Sequence, residues 1–435
     1  MEHMDNTLDA ASQAGKMPRR GQPLWRQVLR PLASLRLTVV LFVLSLLLVF
    51  YGTLAQKDQD VWDVVHEYFW SWGVRVPNQL HLLFAQVFFG APTEARWTEA
   101  YLPLPGGKLL FWALLVNLLS AHLVRFRLSW QRSGIFMIHG GLLMMMAGEF
   151  VTREFAEENN MTIMEGGKAD FVESLRFFEL AFTRARPDGQ IDTVVVPQEL
   201  LRQAIKSGAP IQDEALPFQV KVLSYAGNCD LLEKPFPADF QNPATQGEGL
   251  TLRVSERPPV SGVDPEQRIN MPGAEVELLE KGSGKSLGVW VVSAWFQLTR
   301  PIRTQKVTPD APADESWKVA LRNKRGYRSY TITLNKFTHD VYPGTDKPLN
   351  FQSDVLLQDP DMGVERTTVI RMNEPMRHAG ETFYQHQALA GDSGSVLQVV
   401  RNPGWTLPYL SCAVVSLGML THFGAILLRH LRKQA

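Results

Sequence analysis

WTLPYLSCAVVSLGMLTHFGAILL, running from Trp405 to Leu428, is twenty-four residues without a formal charge, opened by tryptophan and ended by Arg429. At about 1.5 Å of rise per helical residue it more than crosses a ~30 Å hydrocarbon core. A second run, LTVVLFVLSLLLVFYGTLA from Leu37 to Ala55, holds nineteen uncharged residues. Leu109–Val124 and Ser133–Gly148 hold sixteen each, and cross only if flanking residues reach the interface. The sequence therefore predicts four transmembrane helices, at 37–55, 108–124, 133–151 and 405–428. The overall 45% hydrophobic and 20% charged composition looks globular only because the polar stretch between the third and fourth runs dilutes them.

Lys and Arg collect in short loops on the cytoplasmic side of a bilayer, so their positions set the orientation. Residues 1–36 carry Lys16, Arg19, Arg20, Arg26, Arg30 and Arg36; the 125–132 loop carries Arg125, Arg127 and Arg132 with no acid; the 429–435 tail adds Arg429, Arg432 and Lys433. Residues 56–107 instead hold three basic and six acidic groups. Both termini are thus expected in the cytoplasm and residues 152–404 outside it, in the periplasm if the membrane is a bacterial inner membrane. The first apolar run is longer than the roughly 7–15 residues of a signal peptide, which favours a retained span. In the first outer loop, Val61–Trp72 and Leu80–Phe89 are rich in Trp, Phe, Leu and Val. They suggest short helices on membrane lipid or against the outer domain.

Residues 152–404 read as strands. Val- and Phe-rich segments recur at Phe177–Thr183, Phe218–Tyr225, Leu250–Val254, Ala274–Leu279, Leu287–Phe296, Tyr330–Phe337, Thr367–Met372, Thr382–Gln387 and Val396–Arg401. Pro- and Gly-rich breaks at Lys234–Gly249, Glu256–Gln267 and Thr308–Ala313 separate them. Many short strands with few helical stretches predict an all-β, sandwich- or barrel-like extracytoplasmic domain.

The two cysteines, Cys229 and Cys412, exclude several chemistries. Without CxxC the chain is not a thioredoxin-like reductant, and without CxxCH it carries no covalently attached haem. No phosphate-cradling GxxxxGK[ST] appears in the right context, and no basic stripe points to nucleic acid.

Three histidines fall inside predicted spans: His122, His139 and His422. An ionisable side chain is costly in hydrocarbon and marks a functional site by default. His139 lies roughly 10 Å inward from Arg132 at ~1.5 Å per residue, and His422, seven residues before Arg429, is expected at nearly the same depth. His122, three residues before Arg125, is expected nearer the cytoplasmic surface. Neutral imidazole is a good axial ligand for haem iron, and ligands from facing helices can clamp a planar macrocycle. The bland alternative is that each ring hydrogen-bonds a neighbouring helix, for about 1 kcal/mol. His139 opens the run HGGLLMMMAG, whose glycines permit close approach and whose methionines form a soft wall. His66 and His81 in the outer loop are weaker candidates, and His339, His378 and His386 read as surface or satisfied core residues.

VYPGT (Val341–Thr345), FQSDV (Phe351–Val355), NEPMRHAGETFYQ (Asn373–Gln385) and then VLQVVRNPGW leading into the last span together resemble the ResB family. The residues that carry the likeness most closely are Asn373, Pro375, Gly380, Phe383, Tyr384 and Gln385. The run SLRLTVVLFVLSLLLVFYGTLAQ resembles the family's first span through Gly52, Thr53 and Gln56, with Ala55 where Pro is frequent. Residues 184–325 match only in strand-rich character. The resemblance implies a system II cytochrome c biogenesis subunit, non-catalytic or co-catalytic in a cytochrome c synthase. It would work with a CcsA/ResC-like membrane protein in carrying haem b across the membrane to apocytochrome c, with a thiol-reducing thioredoxin-like protein as a further partner. It also implies His139 as the intramembrane haem ligand; His422 rests on no family motif. The family's partner, not this subunit, carries the Trp-rich haem-handling motif, and none is present here. The alternatives are a membrane-anchored ligand-binding or sensory protein and a haem-free assembly scaffold.

Overall fold

The computed structural model describes residues 23–92, 100–125, 132–236, 241–264, 268–298, 302–308, 316–345 and 348–434. The basic residues Lys16, Arg19, Arg20 and Arg127, and parts of the three expected breaks, lie outside the described residues. Two compact units emerge: a helical one, up to Met146 and again from Pro408, and a β unit, Ala147–Leu407.

In the helical unit α1 (Leu24–Leu32) precedes α2 (Leu35–Ala55), the first span. Ser34 between them is extended, at φ −74° and ψ 128°. The carbonyls this break frees are met from another span: Asn117, 4% exposed, donates Nδ2 to Leu32 O at 2.6 Å and to Ser34 O at 3.2 Å. Its Oδ1 accepts from Thr38 Oγ1 at 2.7 Å. A polar residue in a span is tolerated here because its hydrogen-bonding atoms have partners. After α2 come α3 (Val61–Val64), a π-turn at Val65–Phe69, strand β1 (Gly73–Pro77), α4 (Asn78–Phe89) and β2 (Tyr101–Pro105), which pairs with β1. Then follow α5 (Gly107–Arg125) and α6 (Ser133–Phe155). Leu41, Leu48, Val64, Tyr68, Val76 and Leu110 form one apolar cluster of this unit.

Four helices are long and apolar enough to cross a membrane: Leu35–Ala55, Gly107–Val124, Ser133–Phe155 and the last, α8 (Leu407–Gln434). The two short apolar runs do extend into flanking residues. α6 continues through Glu149, Arg153 and Glu154, reaching roughly 34 Å at 1.5 Å per residue.

α6 and α8 run against each other along a glycine seam. A Cβ on Gly134 would lie 2.6 Å from the His422 amide nitrogen and 2.7 Å from Gly418 O, and one on Gly141 would lie 2.5 Å from Val415 Cγ2. One on Gly418 would meet Gly134 O and Ile138 N at 2.8 Å. Only hydrogen side chains let backbones come this close, the means by which membrane helices associate where no hydrophobic force separates lipid from protein. Gly140, by contrast, has nothing within 4 Å of its added Cβ.

The β unit contains, in chain order, β3 (Glu157–Met164), β4 (Lys168–Ala185), β5 (Ile191–Pro197), helix α7 (Gln198–Ser207), β6 (Phe218–Ala226), β7 (Cys229–Glu233), β8 (Leu252–Glu256), β9 (Gly273–Glu280) and β10 (Ser286–Ser293). It continues with β11 (Gln305–Lys306), β12 (Lys318–Val341), β13 (Pro348–Asp359), β14 (Val364–Arg371), β15 (Met376–His378), β16 (Glu381–Ala388) and β17 (Gly394–Arg401). The large sheet has the order β14-β13-β12-β4-β3-β17-β16-β15, with β5 added to β4 and β11 to β12. A three-stranded sheet, β10-β9-β6, and the pair β7-β8 complete it.

Two apolar cores divide this unit. One packs Phe182, Leu201, Phe218, Leu278, Trp290 and Leu321; the other packs Met161, Ile163, Ile332, Leu357, Phe383 and Leu397. The long strands β4 and β12 supply side chains to both. They are broken in register at Asn323/Arg325 and Tyr327/Ile332, where bulges bend a strand and increase its twist. The fold is sandwich-like. The large sheet does not close into a barrel by strand pairing among the described residues, although an isolated Arg371–Glu374 bridge brings its two ends together. Between the cores lie ion pairs: Arg322 to Glu179 through Nε and Nη2 at 3.0 Å, and Arg325 to Glu173 at 3.1 Å.

Some elements differ from the sequence reading. Leu287–Phe296 leaves the strand at Ser293 and closes as a 3-10 turn at Ala294–Leu298. α7 interrupts the strand-rich middle because QELLRQAIKS places Leu201 and Ala204 on a buried face.

Two expectations follow. Arg322 and Glu179 are 7% and 5% exposed, so Arg322→Met leaves a buried carboxylate and should destabilise the β unit by about 3–5 kcal/mol. Adding Glu179→Leu should recover most of that loss, and denaturant unfolding followed by tryptophan fluorescence reads both. At the helix seam, Gly141→Leu overpacks α6 against α8 and should cost about 1–3 kcal/mol. It would show as a lower thermal midpoint in detergent, whereas Gly140→Ala, facing open space, should not lower it.

Candidate functional site

His122 on α5 and His139 on α6 are brought together, with ring centroids 4.8 Å apart and planes at 71°. Phe136, one turn before His139, packs on the His122 ring at 5.8 Å. His122 Nδ1 lies 2.9 Å from Leu118 O in its own helix. A carbonyl only accepts, so Nδ1 carries the proton in this contact; a neutral ring so bonded has its lone pair on Nε2, the tautomer of a metal-binding imidazole.

His422 is placed elsewhere. Its amide faces Gly134, five residues or about 7 Å along α6 from His139, and its ring stacks edge-on with Phe423 at 5.4 Å. The distance to the flanking arginines does not fix its depth; register is set by the glycine seam, which aligns Gly134 with Gly418 and His422.

The ResB-like motif residues cluster in the second core and along its edge. Asn373, at φ 63°, makes the tight turn in which Arg371 and Glu374 exchange backbone hydrogen bonds at 3.2 and 3.1 Å. Pro375 leads into β15. Ala379 and Gly380, both at positive φ, form the two-residue turn joining β15 to β16, a backbone that favours glycine. Phe383 is fully buried. Gln385 ties the motifs together: Ser353 of FQSDV donates to its Oε1 at 2.6 Å, and its Nε2 donates to Ser395 at 2.9 Å.

Beneath the β15–β16 turn lies a polar network not foreseen from sequence. His378 Nε2 donates to Asp359 Oδ2 at 2.7 Å, and that bond holds the carboxyl below the usual aspartate range. The Tyr330 hydroxyl donates to Glu381, which also accepts from Arg328 Nη2 at 2.7 Å. Burial, followed by the Glu381 carboxylate, pushes the Tyr330 hydroxyl well up. The signal that was available is the alternation in β13, where Phe351, Ser353, Val355, Leu357 and Asp359 all point inward.

A cleft of about 390 Å³ opens over this network, lined by Arg377, Gly380, Thr382, Tyr384, Asn402 and Trp405 among others. Arg377 sits over the Trp405 ring at 4.2 Å. The cleft presents one cation and two aromatic walls, with its buried carboxylate, Glu381, already engaged.

The outer-loop histidines are apart from each other. His66 packs on Trp70 at 4.5 Å and lines an open hollow of about 540 Å³ with Gln59, Asp63 and Glu67. His81 packs on Tyr51 at 5.0 Å. His339 pairs with Asp392 at 2.9 Å, and His386 is exposed. Burial pushes the Cys229 thiol up to about 11, which makes it unreactive. Among the described residues no group of three or more His, Cys, Asp or Glu side chains forms a metal site.

The model of the ResB-like family matches residues 305–395. Protein NrfI of Wolinella succinogenes is 31% identical over 91 residues, which make up 21% of this chain and 10% of that protein's length. The family-matched stretch runs from β11 into the start of β17 and contains VYPGT, FQSDV and NEPMRHAGETFYQ. Residues 305–395 are therefore a ResB-like stretch, and the family resemblance that those three motifs carry holds.

Proposed function

We propose that this protein is a cytochrome c biogenesis subunit that handles haem as cargo, together with a CcsA/ResC-like partner, on its way to apocytochrome c. The meeting of His122 and His139 within two membrane spans carries this reading, and the ResB-like stretch supports it. In this account the termini are cytoplasmic, the β unit is periplasmic and the chain lies in the inner membrane.

The geometry constrains how the imidazoles would serve. With a metal–nitrogen distance of about 2 Å, two axial imidazoles on opposite faces of a macrocycle have centroids roughly 6 Å apart. At 4.8 Å and 71°, His122 and His139 do not clamp a macrocycle between them as they stand. One of the two imidazoles, not both, would hold the iron. His139 would be that residue, and His122, edge-to-face with it at 4.8 Å, would fix its ring. In this role His122 is a positioning residue. Bound haem would supply the iron; the chain would supply the His139 imidazole to hold it. The β unit, with its cleft lined by Arg377, Tyr384 and Trp405, would hold the apocytochrome or the partner.

A haem-free scaffold is the second reading, favoured by the His122–Leu118 bond, which is how a merely structural histidine is also satisfied. Purifying the chain with a CcsA/ResC-like partner and recording haem absorbance separates the two. The wild-type complex should carry haem, His139→Ala should lose it, and His122→Ala should weaken retention about 10- to 100-fold. Equal haem in wild type and His139→Ala would remove the assigned role. A haem-free complex that still assembles cytochrome c would establish the scaffold.

A further inference from the structure

α1 is amphipathic along its whole length. At 100° per residue, Pro31, Leu24, Val28, Leu32, Trp25 and Leu29 fall on one arc of roughly 160°, and Arg26, Arg30 and Gln27 fall on the other. The apolar face is divided in use. α1 packs against α5, and Leu29 and Leu32 are half-buried. Leu24, Val28 and Trp25 remain 80%, 62% and 48% exposed.

The surroundings indicate what covers them. The extended Ser34, held by Asn117, breaks α1 from α2, so α1 does not prolong the span. Its exposed apolar residues run on into Leu35, Val39 and Val40 of α2, which are 67%, 56% and 52% exposed on a helix whose hydropathy places it in lipid. Between Pro23 and Gln56 the chain carries Arg26, Arg30 and Arg36 and no acid. Arg26 lies over the Trp25 ring at 5.1 Å, a pairing of guanidinium and indole suited to the headgroup layer.

We propose that α1 lies in the plane of the bilayer surface and binds anionic phospholipid, with Leu24, Trp25 and Val28 in the acyl boundary and Arg26 and Arg30 on headgroup phosphates. A short helix of this pattern gains affinity from apolar area and from attraction to anionic lipid together. The helix thereby fixes the depth at which α2 enters the membrane, and through Asn117 the depth of α5, which carries His122.

The test uses the full chain with Cys412→Ala, spin-labelled at Val28→Cys or Gln27→Cys in nanodiscs of phosphatidylcholine with one-third phosphatidylglycerol. The label at 28 should be accessible to oxygen and shielded from a water-soluble nickel complex, and the label at 27 the reverse. In unlabelled protein extracted from the same bilayers, the retained phosphatidylglycerol-to-phosphatidylcholine ratio should fall about fivefold for each arginine replaced in R26Q and R26Q/R30Q. Both labels open to nickel would place α1 in water. A label at 28 closed to both reagents would mean that protein covers the face, whether residues 1–22 or a partner. Either result, or an unchanged lipid ratio in R26Q/R30Q, overturns the proposal.

Discussion

Hydrocarbon offers no hydrogen-bond partner, so every polar group in the spans of this protein has to be met by another part of the chain or by something bound to it. Asn117 shows one solution. Its amide closes the carbonyls released where α1 and α2 separate, and the break it stabilises allows a surface helix to precede a span. The His122–His139 pair places two ionisable rings side by side in the same apolar setting. One ring nitrogen is answered within its own helix, and the two rings meet edge to face. Ionisable rings are costly in hydrocarbon, which is why the pair, with Phe136 packed on His122, carries the proposed role.

The glycine seam sets where the third intramembrane histidine, His422, stands. Gly134 and Gly141 on α6 admit the backbone of α8 to within side-chain distance. This contact decides that His422 lies opposite Gly134 and not beside His139. The β unit solves a different problem. Its two cores share β4 and β12, and the junction is kept polar by Arg322–Glu179 and Arg325–Glu173. Buried ion pairs contribute little net stability but penalise any register that separates the partners. The motif residues around Gly380 form turns and a serine–glutamine cluster that tie β13, β16 and β17 together at one end of the sheet.

Much of this was legible in the sequence. The four apolar runs, the alternating Val- and Phe-rich segments and the motif from Asn373 to Gln385 specify spans, a β-rich domain and a family resemblance. Each rests on local periodicity or on residues close in sequence. What was hidden depends on pairs far apart. The Glu381–Tyr330–Arg328 and Asp359–His378 contacts join strands whose register no local pattern states. The depth of His422 is governed by a glycine contact across two helices separated by some 250 residues of β unit. Even α7 was obscured, because a ten-residue amphipathic helix amid strands is a weak signal beside its neighbours.

The central claim, that the imidazole at position 139 is a ligand to iron, is tested most directly by chemical rescue in the purified complex. His139→Gly should remove the haem absorbance, and free imidazole added during haem loading should restore it with the spectrum of nitrogen-ligated iron. Haem retained in the glycine variant with an unchanged spectrum, and indifferent to imidazole, would contradict the account.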